Sequence, residues 1–247
     1  MTDTSAGRRV APSEALALTY RIVLRQLTSR GRIIGLGLLA SIAPIAGFAL
    51  GTGDASLADA VQLISAVGLG LVLPVVALVF GGAAIGDLRD DKTLVYLWLR
   101  PMDRWPIVVG AALAAGTLAA PITLVPIVLA AVLTGAGNGI VAGTILANVV
   151  GLVVYTSLFT LFGVWLKRFI VWGLAYILIY EGFIAQAGPG VARFAMRAYT
   201  RSILVDRTGA DLDLADFSLI AGVVVPLVVS VAALAVAAWR LANQDID

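Results

Sequence analysis

Long hydrophobic runs separated by short charged clusters are the dominant pattern of this chain. The runs cover residues 33–53, 60–86, 106–133, 140–166, 169–187 and 217–239. About 20 consecutive apolar residues are enough to cross the hydrocarbon core of a bilayer. The pattern therefore predicts an all-α integral membrane protein with six transmembrane helices, folded as one transmembrane domain over residues 33–241.

Two of the predicted spans need a further argument. Residues 106–166 contain no Asp, Glu, Lys or Arg, and the sequence TGAGNG at 134–139 provides the turn that divides this stretch into two helices. The fifth span is interrupted by Glu181, and a carboxyl there costs about 2.5–3.5 kcal/mol, whereas each neighbouring Ile, Leu, Val or Phe returns about 0.3–0.6 kcal/mol. The apolar residues of this segment balance the carboxyl, so the span is retained.

The composition excludes several classes of protein. Hydrophobic residues make up 60% of the chain and charged residues 13%, against about 25% charged in soluble domains. The chain has no cysteine and no histidine, so thiolate sites and the commonest general base and metal ligand are absent. A net charge of +2 is too small for a nucleic-acid-binding protein. We expect no catalytic residue, metal site or cofactor on this chain, and no enzymatic activity of the chain by itself.

The basic residues predict the orientation in the cell membrane. They precede span 1 and lie between spans 2 and 3 and between spans 4 and 5, whereas the hairpins 54–59 and 134–139 carry none. By the positive-inside rule both termini, including the tail 242–247, are cytoplasmic. The loop after span 5 departs from the rule, because its arginines lie on the outer side. The spacing of Arg193, Arg197 and Arg201 puts them on one helical face, which predicts an interfacial helix there.

Residues 1–32 predict a cytoplasmic arm followed by a basic amphipathic helix that begins near Ser13 and lies on the membrane surface. Its apolar contacts are expected from Leu16, Leu18, Ile22 and Leu27. Within the spans, glycine pairs at 47/51, 82/86 and 139/143 have the spacing that allows close helix approach. Packing inside one bundle is the favoured explanation, and a dimer contact is the alternative.

Glu181 is the one acidic residue well inside a predicted span. Intramembrane carboxyls face protein or a cavity, so it is a candidate polar element of a substrate path or a gate. The alternative is a structural lock in which Glu181 pairs with Arg193 or Arg197. We expect it near the outer leaflet, without partners in other spans, which makes it a poor proton relay and argues against an ion-coupled transporter.

The cytoplasmic loop 87–105 mixes charges with large apolar residues. Leu94, Leu97 and Trp98 recur at helical spacing, and Pro101 ends the predicted helix. An apolar face outside the bilayer is typical of a docking site, although a helix lying on lipid has the same pattern. The residue pattern alone leaves both interpretations open.

Residues 91–110, DKTLVYLWLRPMDRWPIVVG, resemble the loop after the second span of type-2 ATP-binding cassette (ABC) exporter permeases. That family has acidic residues, Gly-Thr-Leu, a leucine-rich turn, Arg-Pro, Ser-Arg and an aromatic residue in this order. Residues 180–183, 188–190 and 193–199 are similar to the Glu-Gly, Pro-Gly and Arg segment after span 5 in one branch of these permeases. Lys92 and Asp103 depart from the family pattern, which usually has glycine and serine there.

The resemblance implies a coupling helix that docks a separate ATPase subunit, with ATP and Mg held by that partner. The implied docking residues are Asp87, Asp90, Asp91, Thr93, Leu94, Leu97, Arg100, Pro101 and Arg104. It also implies a pair of permeases, identical or paralogous, and an outer re-entrant segment at 188–216 that gates or caps the exit. Few charges line the spans, which favours a lipophilic or amphiphilic cargo. An ion-coupled secondary transporter or channel and a non-transporting membrane scaffold are the alternatives.

Overall fold

The computed structural model describes residues 11–53, 56–90, 103–210 and 217–243. Throughout these ranges the chain is helical and contains no strand. Six helices are long and apolar enough to cross a membrane: span 1 (Arg30–Gly51), span 2 (Leu57–Arg89), span 3 (Trp105–Leu133), span 4 (Gly139–Trp165), span 5 (Phe169–Ala187) and span 6 (Leu219–Ala242). The prediction of an all-α, multi-pass integral membrane protein with six candidate spans is confirmed.

Two spans are not regular α-helices along their whole length. Span 2 contains a π-helical segment at Ile64–Val72, and span 5 contains one at Tyr176–Glu181, followed by a 3-10 turn at Ile184–Ala187. A short helix at Pro189–Ala192 then leads to a longer one at Met196–Thr208, called here the connecting helix. π-helical segments are rare and frequently lie at functional sites, so both segments direct attention to what they contact.

Spans 2 and 4 form the interior of the bundle and are the most buried of the six. Span 4 contacts spans 2, 3 and 6 and the connecting helix. Spans 2 and 4 meet with almost no side chain between them, since a Cβ built on Gly163 would lie 2.3 Å from the carbonyl oxygen of Gly82. Small residues are what permits such backbone contact in membrane bundles, where dispersion forces replace the hydrophobic effect between helices.

Each of the three glycine pairs faces another helix of the same chain. Gly47 and Gly51 face span 3, Gly82 and Gly86 face the ring of Phe169, and Gly139 and Gly143 face the connecting helix. The preferred explanation from the sequence, packing inside one bundle, agrees with these contacts.

One end of the bundle, called here the basic end, is held together by arginine side chains. Arg32 of span 1 forms an ion pair with Asp87 of span 2 at 2.9 Å. The guanidinium of Arg89 donates to the carbonyl oxygens of Val164 and Leu166 at 3.1 and 2.6 Å, which satisfies carbonyls at the end of span 4 that have no partner within the helix. Exposed tryptophans lie at the same ends of the spans, namely Trp105, Trp165 and Trp239, as is typical of a membrane interface.

The helix at Pro12–Leu27 packs on span 3 through a stripe of side chains with a four-residue period: Ala15, Thr19, Val23 and Leu27. Of the predicted apolar contacts, Leu27 belongs to this stripe, Leu16 and Leu18 are half-buried, and Ile22 lies on the exposed side. The observed start lies within one residue of the predicted start near Ser13, although Ser13 is not the N-cap. Pro12 is the first helical residue and Ala11 the N-cap, because the fixed φ of proline suits the first helical position.

Candidate functional site

Glu181 joins three separate elements of the bundle. It is the last residue of the π-helical segment of span 5 and is 2% exposed. Its Oε2 accepts a hydrogen bond from the hydroxyl of Tyr155 in span 4 at 2.7 Å. Its Oε1 accepts from the backbone N–H of Arg197 in the connecting helix at 3.2 Å. One buried carboxylate therefore holds span 4, span 5 and the connecting helix together.

The contact with Arg197 caps the connecting helix. The first N–H groups of any helix have no partner within that helix, and Arg197 is the second residue of this one. A carboxylate beside these groups satisfies a donor and places negative charge at the positive end of the helix dipole. The cap residue Ala195 offers no side-chain acceptor, so the acceptor comes from another element.

The carboxylate lies deep in the bundle. Tyr155 is ten residues from Trp165 along span 4, which corresponds to about 15 Å of helix. Tyr155 and Glu181 both lie inside candidate spans rather than at their ends. From there the connecting helix runs antiparallel to span 4, with Thr200 beside Gly151 and Arg207 beside Gly139.

These contacts correct part of the expectation for Glu181. It has a partner in another span, Tyr155, whereas the expectation was that it has none. In the described part of the chain, no ion pair joins its carboxylate to the guanidinium of Arg193 or Arg197. Its contact with Arg197 is made to the main chain. The arrangement has the effect of a structural lock, although the lock uses different atoms from those expected.

Three further tyrosines fix the segment between span 5 and the connecting helix. The hydroxyls of Tyr176, Tyr180 and Tyr199 donate to the carbonyl oxygens of Phe194, Val191 and Arg193 at 3.4, 3.0 and 2.8 Å. The ring of Tyr176 also stacks on that of Tyr180, with centroids 5.6 Å apart.

Sequence reasoning missed Tyr155 and these three tyrosines. The available signal was the clustering of hydroxyl-bearing aromatic residues around the one intramembrane carboxyl, since buried tyrosine hydroxyls need a hydrogen-bond partner.

The side chain of Arg197 connects Glu181 with the other π-helical segment, which belongs to span 2. Its guanidinium packs on Gly70 of span 2 so closely that a Cβ on Gly70 would lie 2.8 Å from Cζ. Its Nε is buried without a hydrogen-bond partner. Arg197, Arg201, Glu181 and Gln186 are the polar residues that line a narrow pocket between span 5 and the connecting helix. Arg193, the other predicted candidate, is exposed and does not line this pocket.

The predicted ATPase-docking residues lie only partly within the described chain. Asp87 is described and is paired with Arg32. Asp90 is the last residue of the helix that contains span 2, and Arg104 is the N-cap of span 3. The remaining docking residues lie outside the described residues: Asp91, Thr93, Leu94, Leu97, Arg100 and Pro101. The loop 91–102 is therefore bounded by the ends of spans 2 and 3.

The chemistry of the described part is that of hydrogen bonding and charge. It contains no group of three or more His, Cys, Asp or Glu side chains that would hold a metal ion. The comparison with protein-family models finds no match to this chain, and the curated proteins include none that matches it significantly. The chain is a multi-span integral membrane protein whose lipid-facing helices surround a buried carboxylate and tyrosine cluster.

Proposed function

We propose that this chain is the membrane-spanning permease subunit of an ATP-driven ABC exporter. It forms the substrate path as a dimer with a second permease and is driven by a separate ATPase subunit. The observation that carries the proposal is the resemblance of residues 91–110 to a coupling loop, in a chain with six candidate spans. ATP and Mg belong to the partner subunit, and this chain supplies the docking loop and the path.

The interrupted fifth span supports the proposal. In span 5 the regular helix gives way to π-helical and 3-10 turns, and the connecting helix then starts beside Glu181. This interruption is compatible with the re-entrant segment before span 6 that the resemblance implies on the outer side.

The charge distribution supports the proposed orientation. The described basic residues at the ends of spans 1, 2, 3, 4 and 6 lie at the basic end, including Arg32, Arg89, Arg104, Lys167 and Arg240. We assign this end to the cytoplasm by the positive-inside rule, with both termini on the same side. The coupling loop then faces a soluble ATPase, and the hairpin 134–139 faces outward.

The basic end offers a physical route for coupling. The loop 91–102 continues directly from span 2 and leads directly into span 3. Asp87 ties span 2 to span 1, and Arg89 ties span 2 to the end of span 4. A displacement of the loop by the closing ATPase is thus passed to the most buried spans as a rigid-body movement. Binding of ATP shifts the permease only to the extent that the ATPase binds its two states differently.

The test is a pair of charge-introducing double variants in the loop. Leu94→Asp with Leu97→Asp places two carboxylates on the predicted apolar face, whereas Val95→Asp with Leu99→Asp places two on the opposite face. We expect the first variant to insert and fold but to lose the ATPase, because burial of an unpaired carboxylate in the docking groove is costly. The measurement is the amount of ATPase that co-purifies with each variant in mild detergent.

Equal retention of the ATPase by both double variants contradicts the assignment of the coupling helix. Loss by both variants, with unchanged thermal unfolding of the permease, shows that the whole loop docks and contradicts the assigned face only. If the wild-type chain purifies alone and transports its cargo under an ion gradient, the secondary transporter replaces the proposal. Folding of each variant is checked by its thermal unfolding midpoint.

A further inference from the structure

The helix Pro12–Leu27 has one face against the bundle and one face directed away from it. Its buried stripe, which packs on span 3, consists of Ala15, Thr19, Val23 and Leu27. Arg21 and Arg25 are exposed, and their four-residue spacing places both on one side of the helix. At 3.6 residues per turn, that side lies opposite the buried stripe. It is called here the arginine face.

A close backbone contact fixes the position of this helix on the bundle. A Cβ built on Gly110 would lie 3.0 Å from the carbonyl oxygen of Leu16 and 3.2 Å from the backbone nitrogen of Tyr20. Gly110 is five residues after Trp105, the first residue of span 3. Span 1 begins at Arg30, directly after residues 28–29. The helix therefore crosses the bundle where spans 1 and 3 begin, and lipid headgroups surround the ends of membrane spans.

The packing on span 3 changes how this helix meets lipid. An interfacial amphipathic helix inserts its apolar face among the lipid chains. Here that face is covered by span 3, and Ile22, at 39% exposure, is the one exposed large apolar side chain of the helix Pro12–Leu27. The surface that is left for the lipid headgroups is therefore the arginine face, so that contact is made by charge rather than by insertion.

The charge of the arginine face is not neutralised within the described ranges of the chain. Neither Arg21 nor Arg25 forms an ion pair there. The one acidic residue of the helix is Glu14, about two turns before Arg21. The exposed Arg30 adds a further positive charge where span 1 begins. Guanidinium groups one turn apart present several donors together, and such donors pair well with phosphate oxygens.

We propose that the arginine face binds the phosphate groups of anionic phospholipids in the leaflet at the basic end. Each basic side chain at an anionic membrane surface favours binding by about fivefold, so the pair favours anionic over zwitterionic lipid by about twentyfold. Because two residues join the helix to span 1, the bound lipids hold the beginning of span 1 at the headgroups. The inference does not rest on export, since it requires only a chain that spans the membrane.

The absence of cysteine from the chain allows a single fluorescent label to be placed on this face. Ala17→Cys puts the label at an exposed position one turn before Arg21. The purified full chain is reconstituted in phosphatidylcholine nanodiscs, and quenching by nitroxide-labelled phosphatidylglycerol is compared with quenching by phosphatidylcholine that carries the same nitroxide. We expect half-maximal quenching at an about twentyfold lower mole fraction of phosphatidylglycerol. Equal quenching by the two lipids overturns the proposal.

Matched variants test whether the two arginines are responsible. Arg21→Gln with Arg25→Gln is expected to remove most of the preference, whereas replacement of both by lysine keeps the charges and most of the preference. The control, Arg193→Gln with Arg207→Gln, removes two charges from exposed positions between spans 5 and 6 and leaves the preference unchanged. Equal losses in the two glutamine variants show an effect of net charge alone and overturn the site.

Thermal unfolding gives a second measurement that needs no label. A ligand that binds only the folded chain raises its unfolding midpoint. Phosphatidylglycerol added in detergent is expected to raise the midpoint of the wild type and of the control variant, and to raise that of Arg21→Gln with Arg25→Gln much less. An equal rise in all three overturns the assignment. The midpoints without added lipid show that each variant is folded.

The alternative partner of the arginine face is an acidic surface of the proposed ATPase, because the coupling loop lies at the same end of the bundle. If Arg21→Gln with Arg25→Gln keeps the lipid preference but no longer co-purifies with the ATPase, the face binds protein and the proposal is overturned. The lipid assays contain no ATPase. Their failure therefore leaves the coupling-loop test untouched, and failure of that test leaves the lipid preference intact.

Discussion

The hydrogen bonds of Glu181 explain how its carboxylate is accommodated in the interior of the bundle. Burial of a carboxyl group without hydrogen-bond partners costs several kcal/mol, so its oxygens need donors inside the protein. It accepts one hydrogen bond from Tyr155 and one from the main chain of Arg197. The main-chain contact matters more for the fold than a side-chain ion pair would, because it allows a helix to begin in the interior of the bundle.

At the residue scale we predict that Glu181→Leu destabilises the protein strongly. The substitution leaves the Tyr155 hydroxyl and the Arg197 N–H without their acceptor, at about 1–3 kcal/mol for each unsatisfied group. Tyr155→Phe is predicted to be destabilising to a smaller extent. Because the two side chains share one hydrogen bond, the double variant costs less than the sum of the single variants. The measurement is the thermal unfolding midpoint in detergent.

Tyr20→Phe is the control for this cycle. The Tyr20 hydroxyl makes an exposed hydrogen bond to Thr117 at 3.3 Å, and its removal is expected to change the midpoint little. Strict additivity of Glu181→Leu and Tyr155→Phe would mean that the two groups do not interact, and the proposed lock would be wrong.

At the element scale, the close crossing of spans 2 and 4 is the feature most sensitive to substitution. Gly163→Ala introduces a Cβ 2.3 Å from the Gly82 carbonyl oxygen, and neither backbone moves without shifting its helix. We predict that the free energy of unfolding falls by about 1–3 kcal/mol or more, the size that overpacking produces. This loss appears as a marked drop in the unfolding midpoint. The measurement is thermal unfolding of the purified variant.

Gly116→Ala provides the matched control for Gly163→Ala. Gly116 lies inside span 3, and a Cβ added to it would meet no neighbouring atom within 4 Å. Alanine there is expected to stabilise the helix by roughly 0.5–1 kcal/mol, since glycine is the poorer helix former. Equal effects of the two substitutions would mean that spans 2 and 4 are not in backbone contact.

The elements themselves were predictable where composition alone determines them. Uncharged runs predicted the six spans, because crossing a bilayer requires length and apolarity and little else. The turn at TGAGNG was predictable since Gly135 and Gly137 adopt positive φ, which glycine tolerates. The starting depth of the connecting helix was not predictable, because it depends on Tyr155 and Glu181 meeting from different spans.

For the whole molecule, the described polar contacts between spans lie at the basic end and in the interior. Ion pairing and arginine capping join spans 1, 2 and 4 at the basic end, next to the loop 91–102. In the interior, one carboxylate and its tyrosine partner hold the connecting helix. Under the proposed function, the ATPase would act on the basic end, and the carboxylate would keep span 4, span 5 and the connecting helix together as one body.

The candidate site shows where prediction from sequence stops. Glu181 and Arg197 were identifiable because charged residues are rare in apolar runs. The atoms that join them were not, because a main-chain donor has no sequence signature. Asp87 was assigned from the resemblance to the docking surface, and its ion pair with Arg32 gives it an additional structural role. The docking assignment itself remains a prediction.

The central claim is that this chain works with a separate ATPase, and purification from the native membrane tests it most directly. The tagged full chain is extracted in mild detergent, and every co-eluting protein is identified and quantified. We predict recovery of a soluble subunit with a phosphate-loop sequence, in an amount equal to that of the permease. Recovery of a stable, folded chain without any ATPase, in several detergents and in nanodiscs, would contradict the account and favour a secondary transporter or a scaffold.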